Sequence, residues 1–176
     1  MCQPRCNVAG MADGPWLSEE EQKAWRSYTL MRRTLETHLA RQMQHECGLS
    51  PSDFEILVNL SESEAGRMRA VELGAATQWE KSRLSHHLGR MEKRGLIRKE
   101  EGNARYPEIV ITEAGWKAIR TCAPRNAARV RELFVEVLGP DRLRVLRQAF
   151  EDVVAAVAEH DGSPCAGAPT EADCGG

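Results

Sequence analysis

Apolar residues recur at intervals of three or four near the start of the chain, a pattern that predicts a long amphipathic helix from about residue 19 to 45. Ser18 and Glu21 have the spacing of a capping box at its beginning. Gly48 is suited to end the helix in a left-handed conformation. The apolar positions that define this helix are Trp25, Tyr28, Met31, Leu35 and Leu39.

A second helix is predicted directly after this break. Ser50 fits the N-cap position and Pro51 the first helical position, where the missing amide proton is not needed. We expect the helix to run to about Leu60 and a polar loop to follow over residues 61–67. The side chains that it is expected to bury are Phe54, Leu57 and Val58.

Two further helices follow in close succession, a pattern typical of a helix-turn-helix. The first is short, at about residues 70–76. Thr77 and Glu80 have capping-box spacing and predict the start of the second helix, which continues to Arg94 and ends at Gly95. The apolar contacts expected from the short helix are Val71 and Leu73.

At about 100° per residue, the helix predicted over 78–94 has two chemically different faces. The outer face carries no acid and is rich in cationic and hydrogen-bonding groups, so we predict that it reads a DNA groove. Arg83 or Arg90 is suited to a bidentate contact with guanine. The inner residues, expected to face the core, are Leu84, Leu88 and Met91. The predicted DNA-binding residues of this segment are Trp79, Lys81, Ser82, Arg83, Ser85, His86 and Arg90.

Two short β-prone runs, at residues 96–99 and 108–111, flank a loop that contains Gly102. They predict a β-hairpin, which beside a helix-turn-helix forms a wing. Arg105 near the hairpin tip is placed to enter an adjacent minor groove, where narrow A·T tracts concentrate negative potential. Asn103 is the second DNA contact predicted from the wing.

The remaining helices supply more apolar surface than one small DNA-binding core can bury. Thr112 is expected to cap a helix over 113–137 that Pro124 kinks. A break at residues 139–140 precedes a last helix at about 141–159. Surplus apolar side chains on the outer helices predict a homodimer interface. These residues are Leu35, Leu39, Phe134, Leu138, Leu143, Leu146, Phe150 and Val153.

The charge of the chain is unevenly distributed. The 176 residues carry a formal net charge of -2, yet residues 81–105 contain eight Lys and Arg against three acids and sum to +5. The rest of the chain must therefore sum to -7. Such asymmetry is what a local phosphate-facing surface produces in an otherwise acidic protein.

Composition also bounds the cellular setting. No apolar run approaches the roughly 20 residues that span a bilayer. Residues 1–10 lack the basic and apolar regions of a secretory signal, and we expect Met11 to be the translation start. The six cysteines are interpreted as reduced thiols in a cytoplasmic protein. The tails at 1–17 and 161–176 are expected to be disordered.

These segments resemble the MarR family of bacterial transcription regulators. The stretch at 72–99, with W-E-K-S-R-L-S-H-H-L followed by R-M-E-K-R-G-L, is similar to the family's helix-turn-helix and first wing strand. N-A-R-Y at 103–106 is similar to its wing tip, with Asn103 in place of the family's aspartate. I-T-E-A-G at 111–115 is similar to the segment after the wing.

The resemblance implies a mainly α fold, with a winged helix-turn-helix at about 50–112 and a β-hairpin wing. It implies dimerisation helices at about 18–46 and 113–160, within a domain at 18–160. It also implies a homodimer that binds a pseudo-palindromic operator in double-stranded DNA, and a small-molecule effector that regulates a repressor. The sequence assigns no effector pocket.

Two other functions are alternatives to this one, and a third is not expected. A thiol-based redox sensor of the same fold would use Cys47 or Cys122 as its switch. A protein-interaction module would bind an acidic partner through the basic helix. An enzyme is not expected, because no phosphate loop, nucleophile elbow or cluster of catalytic carboxylates occurs. No cofactor and no metal site are predicted, since adjacent His86 and His87 point to different parts of a helix surface.

Overall fold

Helix α1 (Glu19–Cys47) has the predicted ends in the computed structural model, which describes residues 16–100 and 107–160. The Glu21 amide donates to the Ser18 hydroxyl, and the Ser18 amide donates to the Glu21 carboxylate at 2.6 Å. Gly48 follows the helix with φ 65°, a conformation that glycine adopts without a Cβ clash. The predicted capping box and break are therefore confirmed.

Helix α2 (Pro51–Glu62) starts at the predicted N-cap, Ser50. The prediction of its buried face was wrong in part. Leu57 is buried as expected, but Phe54 and Val58 are only half-buried. Ile56 and Leu60 are fully buried instead, because α2 contacts other elements on several sides.

A strand begins at the last residue of the segment predicted as a polar loop. Strand β1 (Arg67–Arg69) pairs antiparallel with β3 (Glu108–Ile111), which also pairs with β2 (Ile97–Glu100). The sheet order is therefore β1-β3-β2. The predicted hairpin is confirmed, whereas β1 was missed because its R-M-R sequence has no apolar run of its own.

Helices α3 (Ala70–Thr77) and α4 (Lys81–Lys93) form the helix-turn-helix. The predicted capping box at their junction is wrong. Thr77 lies inside α3 and its hydroxyl donates to the Leu73 carbonyl at 2.8 Å. Gln78 ends α3 in a left-handed conformation, and the side chain of Glu80 does not cap α4. Val71, expected in the core, is exposed.

The C-terminal part is almost entirely helical. Helix α5 (Glu113–Val130) is capped by Thr112 as predicted, and it continues through Pro124. A π-helical segment (Arg131–Val135) joins it to α6 (Glu136–His160). The predicted interruption at Gly139 is present as a non-helical residue with φ 70°, within the bounds of α6.

The hydrophobic core lies between α2, α3, α4, the sheet and the first half of α5. Its largest fully buried side chains are Leu49, Ile56, Leu57, Leu60, Leu73, Met91, Ile97, Ile109 and Cys122. In contrast, α1 buries only Met43, and α6 buries no residue. The two long outer helices therefore leave most of their apolar side chains uncovered in the single chain.

Substitution by alanine is expected to have opposite effects on stability at two helical glycines, Gly115 and Gly89. A Cβ on Gly115 would overlap the Leu96 carbonyl oxygen and come within 2.8 Å of Ile111 Cγ1, whereas one on Gly89 would meet nothing within 4 Å. We expect Gly115→Ala to destabilise the fold by about 1–3 kcal/mol through overpacking. Gly89→Ala should stabilise it by up to ~1 kcal/mol, because alanine is the better helix former.

Urea unfolding of the two variants measures both effects against the wild type. Equal stability of all three proteins would contradict the close packing of the start of α5 against the wing.

Candidate nucleic-acid interface

Helix α4 turns one chemical face inward and the other outward, as its sequence predicts. Leu84, Leu88 and Met91 are at most 4% exposed and join the core. The predicted DNA-binding residues of this helix all lie on its exposed side. They are Lys81, Ser82, Arg83, Ser85, His86 and Arg90.

Trp79 differs from the prediction, which placed it on the outer face. Its ring is half-buried and packs against the core. The guanidinium carbon of Arg83 lies 4.1 Å from the centroid of the Trp79 ring, in a cation–π contact. Trp79 therefore contacts both the core and Arg83.

The second arginine of the outer face contacts a buried histidine. Nη2 of Arg90 lies 2.7 Å from Nδ1 of His87, whose ring is only 5% exposed. A guanidinium has only donors, so Nδ1 must be the acceptor. In the neutral ring the proton then resides on Nε2, which lies 3.1 Å from Oδ1 of Asp53, although this contact does not meet hydrogen-bond geometry.

Asp53 joins three elements at this point. As the third residue of α2 it forms a capping box with Ser50, whose amide donates to Oδ2 at 2.9 Å. Nη1 of Arg94, just after α4, donates to the same oxygen at 2.6 Å. Nη2 of Arg94 donates to the carbonyl of Gly48 at 2.7 Å, which ties the end of α4 to the α1–α2 junction.

Burial affects the pKa values of both Asp53 and His87. Burial by itself would raise the pKa of Asp53, but hydrogen bonds from Ser50 and Arg94 outweigh it and hold that pKa below its ordinary value. Burial lowers the pKa of His87. The Asp53 carboxylate opposes this, while the positive charges of Arg90 and Arg83 add to it. His87 is therefore neutral at physiological pH.

Sequence reasoning missed the role of this cluster. The spacing of Ser50 and Asp53 is itself a capping-box signal. His87 follows the inner position Leu84 by three residues, so helical periodicity also places it near the core. Its partner on α2 is more than thirty positions away in sequence and becomes evident only in three dimensions.

The stem of the wing has its charges paired. Arg98 pairs with Glu100 at 2.7 Å, and Lys99 pairs with Glu92 at 3.1 Å. Arg67 on β1 pairs with Glu108 on β3 and Glu100 on β2. Among the described residues, Arg83 and Arg90 form no ion pair with a carboxylate, so their charges are not neutralised by acids. Asn103 and Arg105 lie outside the described residues, as do residues 1–15 and 161–176 of the predicted tails.

The cysteine pair gives the redox alternative no support. Burial raises the pKa of the Cys122 thiol to about 12, and the neighbouring Cys47 and Glu46 contribute to this rise. A reactive thiol requires a lowered pKa, since the thiolate is the nucleophile. Cys122 is therefore a protonated packing residue at neutral pH.

A shallow cleft lies between α1 and α5 near these thiols. Its volume is about 200 Å³ including the solvent at its mouth, below the roughly 300–1,000 Å³ of typical small-molecule sites. Arg129 pairs with Glu46 at its edge. In the described part of the chain, no three potential ligands are grouped for a metal ion. No helix within residues 16–100 and 107–160 is both long and apolar enough to cross a membrane.

The fold and the basic outer face of α4 define a winged helix-turn-helix DNA-binding protein. A family model described as a helix-turn-helix family matches residues 2–164. The chain is 40% identical to AbsC, a MarR family transcriptional regulator from Streptomyces coelicolor, with a TM-score of 0.78 and coverage of 83% of this chain and 99% of AbsC. The chain belongs to the MarR family of transcriptional regulators.

Two further solved structures are similar. Sco3205, a MarR family regulator from Streptomyces coelicolor solved in complex with DNA, is 32% identical, with a TM-score of 0.78 over 92% of this chain and 97% of its own. The organohalide-sensing regulator RdhR, in its 2,4-dichlorophenol-bound form, shares the fold at 18% identity, with a TM-score of 0.71 over 83% and 88% of the two chains. No curated protein gives a significant match.

The buried histidine predicts a specific dependence of stability on pH. The unfolded chain takes up a proton at histidine near the ordinary pKa of 6.5, whereas folded His87 does so only at lower pH. The free energy of unfolding should therefore fall as the pH drops from about 6.5 through the folded pKa, and this contribution should be constant above that window.

Urea unfolding over a pH series, for the wild type and for His87→Asn, checks this expectation. The decline should be smaller in the variant. Asp53, whose pKa is also lowered, loses its contribution only at pH values below about 3.8, so the two effects separate. Parallel curves for the two proteins would contradict a buried neutral His87.

Proposed function

We propose that the protein binds a pseudo-palindromic operator as a homodimer, with α4 of each subunit in the major groove, and that it represses transcription until a small molecule binds. The observation that carries the proposal is the outer face of α4. It presents Arg83 and Arg90, which have no acidic partner among the described residues, on a helix whose opposite side is sealed in the core.

The types of side chain on this face suit base and phosphate recognition. Each arginine has several N–H donors beyond its contact with Trp79 or His87, and a guanidinium pairs in a bidentate manner with O6 and N7 of guanine. The exposed hydroxyls and imidazole suit base edges or phosphates. These residues are Ser82, Ser85 and His86. Lys81 is proposed to contact phosphate, and Asn103 and Arg105 the adjacent groove.

The uncovered apolar side chains of the outer helices support a dimer. Phe150 is 42% exposed and Val153 61% exposed on α6, and further large apolar residues are exposed on both α1 and α6. Exposed apolar surface of this extent is typical of a protein–protein interface. A two-fold dimer would place two copies of α4 one helical turn apart on DNA, about 34–36 Å.

The regulatory part of the proposal follows from this geometry. A ligand that prefers one spacing of the two α4 helices would shift the population away from the state that fits the operator. RdhR is solved with 2,4-dichlorophenol bound. Because the two chains are only 18% identical, the ligand of the present chain has to be identified by experiment. Gel shifts on DNA upstream of its own gene, with and without candidate ligands, test this step.

Arg83→Ala tests the placement of the interface. We expect it to cost roughly 1–3 kcal/mol of operator binding and to relax base preference, because a bidentate base contact is lost. Arg105→Ala should instead weaken binding to all duplexes to a similar degree. Fluorescence anisotropy with specific and random duplexes at several salt concentrations measures both quantities, since each lost phosphate contact reduces the salt dependence by about 0.9 log unit per log unit.

The matched control is Arg144→Ala, which removes an exposed arginine of α6 that pairs only with Asp141 among the described residues. It should bind DNA as the wild type does. Wild-type affinity and preference in Arg83→Ala would reject the proposed interface.

Phe150→Glu tests the dimer. Placing a carboxylate in an apolar interface should shift the protein toward the monomer and weaken operator binding, because two half-sites would no longer be bound together. Analytical ultracentrifugation measures the shift, with Arg144→Glu as a control for added charge on the same helix. A dimer of unchanged stability in Phe150→Glu would exclude this surface.

A further inference from the structure

The hydrogen bond from Arg90 to the buried His87 connects the outer face of α4 to the interior of the protein. Arg90 is exposed, yet one of its terminal nitrogens donates to the ring nitrogen of a residue that is almost fully buried. We propose that His87 is a positioning residue, which holds the Arg90 guanidinium in the orientation that contacts DNA. This inference rests on the proposed function, since it requires Arg90 to lie at the interface.

The physical reason is the flexibility of arginine. A free arginine side chain has many accessible rotamers, and binding must remove this freedom. A hydrogen bond from Nη2 to a fixed acceptor removes part of this freedom before DNA arrives. It uses one of five N–H donors, and the others remain for a base or phosphate. Preorganisation of this kind favours affinity and, for a planar group, base discrimination.

His87 suits this role because its own position is fixed on two sides. Nε2 faces Oδ1 of Asp53 at 3.1 Å, and the carboxylate is held by Ser50 and Arg94. The Trp79 ring meets the imidazole edge-on, with centroids 5.3 Å apart. Trp79 also contacts Arg83, so the Trp79–His87 pair contacts both arginines of the outer face.

The tautomer matters as much as the position. Arg90 requires an acceptor at Nδ1, and the Asp53 carboxylate favours the proton on Nε2 on the opposite side of the ring. A carboxylate on α2 therefore selects the ring state that can accept from an arginine on the DNA-facing side of α4. Asp53 therefore affects the position of Arg90 through the protonation state of His87.

Two conservative substitutions separate this role from simple packing. Asparagine places a carbonyl oxygen near the position of Nδ1 and can still accept from Arg90, but it does not reach Asp53. Glutamine places an amide nitrogen near Nε2 and can still face Asp53, but it offers no acceptor near Nδ1. If His87 acts through Arg90, His87→Asn retains DNA discrimination and His87→Gln loses it.

The experiment uses duplexes selected by the wild-type protein from a random-sequence library. The measured quantity is the ratio of affinities for a selected duplex and for unselected random duplex. We expect this ratio to fall about 10-fold or more in both Arg90→Ala and His87→Gln and to stay within about 2-fold of wild type in His87→Asn. In the Arg90→Ala background, His87→Gln should have no further effect, since the two residues act as one unit.

Every other outcome contradicts either the proposed interface at Arg90 or the positioning role of His87. A wild-type ratio in Arg90→Ala overturns the proposed interface at Arg90, and the inference with it. A loss in Arg90→Ala without a loss in His87→Gln overturns the inference alone. Additive losses in the double variant, or equal losses in His87→Asn and His87→Gln, assign His87 to packing.

A pH series on the wild type keeps the test valid if a His87 variant does not fold. Protonation of Nδ1 turns the acceptor into a donor that faces the Arg90 guanidinium. The charged groups around the ring are Asp53 on α2 and Arg83 and Arg90 on α4. The affinity ratio should therefore fall in the wild type as the pH drops through the pKa of folded His87, which lies below 6.5, and should change less in Arg90→Ala. Identical pH profiles would overturn the inference.

Discussion

The carboxylate of Asp53 is the constraint on which the arrangement of α4 depends. It is 3% exposed, so its charge has to be compensated within the protein. The Ser50 amide, at the N-cap of α2, donates a hydrogen bond to it, and Arg94 donates to it from the end of α4. His87, in the middle of α4, lies 3.1 Å from it. One buried charge thus fixes α4 relative to α2 at two points along its length.

This constraint explains how a helix so rich in charge is held in one orientation against the core. The leucines of its inner face supply attraction to the core, but apolar contacts alone do not fix the rotation of a helix about its axis. The hydrogen bonds of Arg94 to Asp53 and Gly48 do so, and the charge of Asp53 adds an electrostatic contact with His87. Arg83 and Arg90 contact Trp79 and His87 and, among the described residues, no acid, which retains two positive charges for the proposed contact with DNA.

The described part of the chain has two uncovered surfaces of opposite chemistry. The outer face of α4 is cationic and hydrogen-bonding, whereas α1 and α6 expose large apolar side chains such as Trp25 and Val154. We propose duplex DNA as the partner of the first surface and another copy of the chain as the partner of the second. Uneven charge in the sequence thus corresponds to a division of the fold into a proposed DNA-reading part and a proposed dimerisation part.

The sequence by itself determined the local features, because their causes are local. The caps at Ser18 and Thr112, the break at Gly48 and the inward face of α4 depend on residues within one or two turns of each other. Tertiary structure decided what depends on distant partners: strand β1 exists only through pairing with β3, and Trp79 turned inward against the core. The acceptor for Arg90 is likewise fixed by Asp53, a residue on another helix, and no periodicity along α4 specifies that pairing.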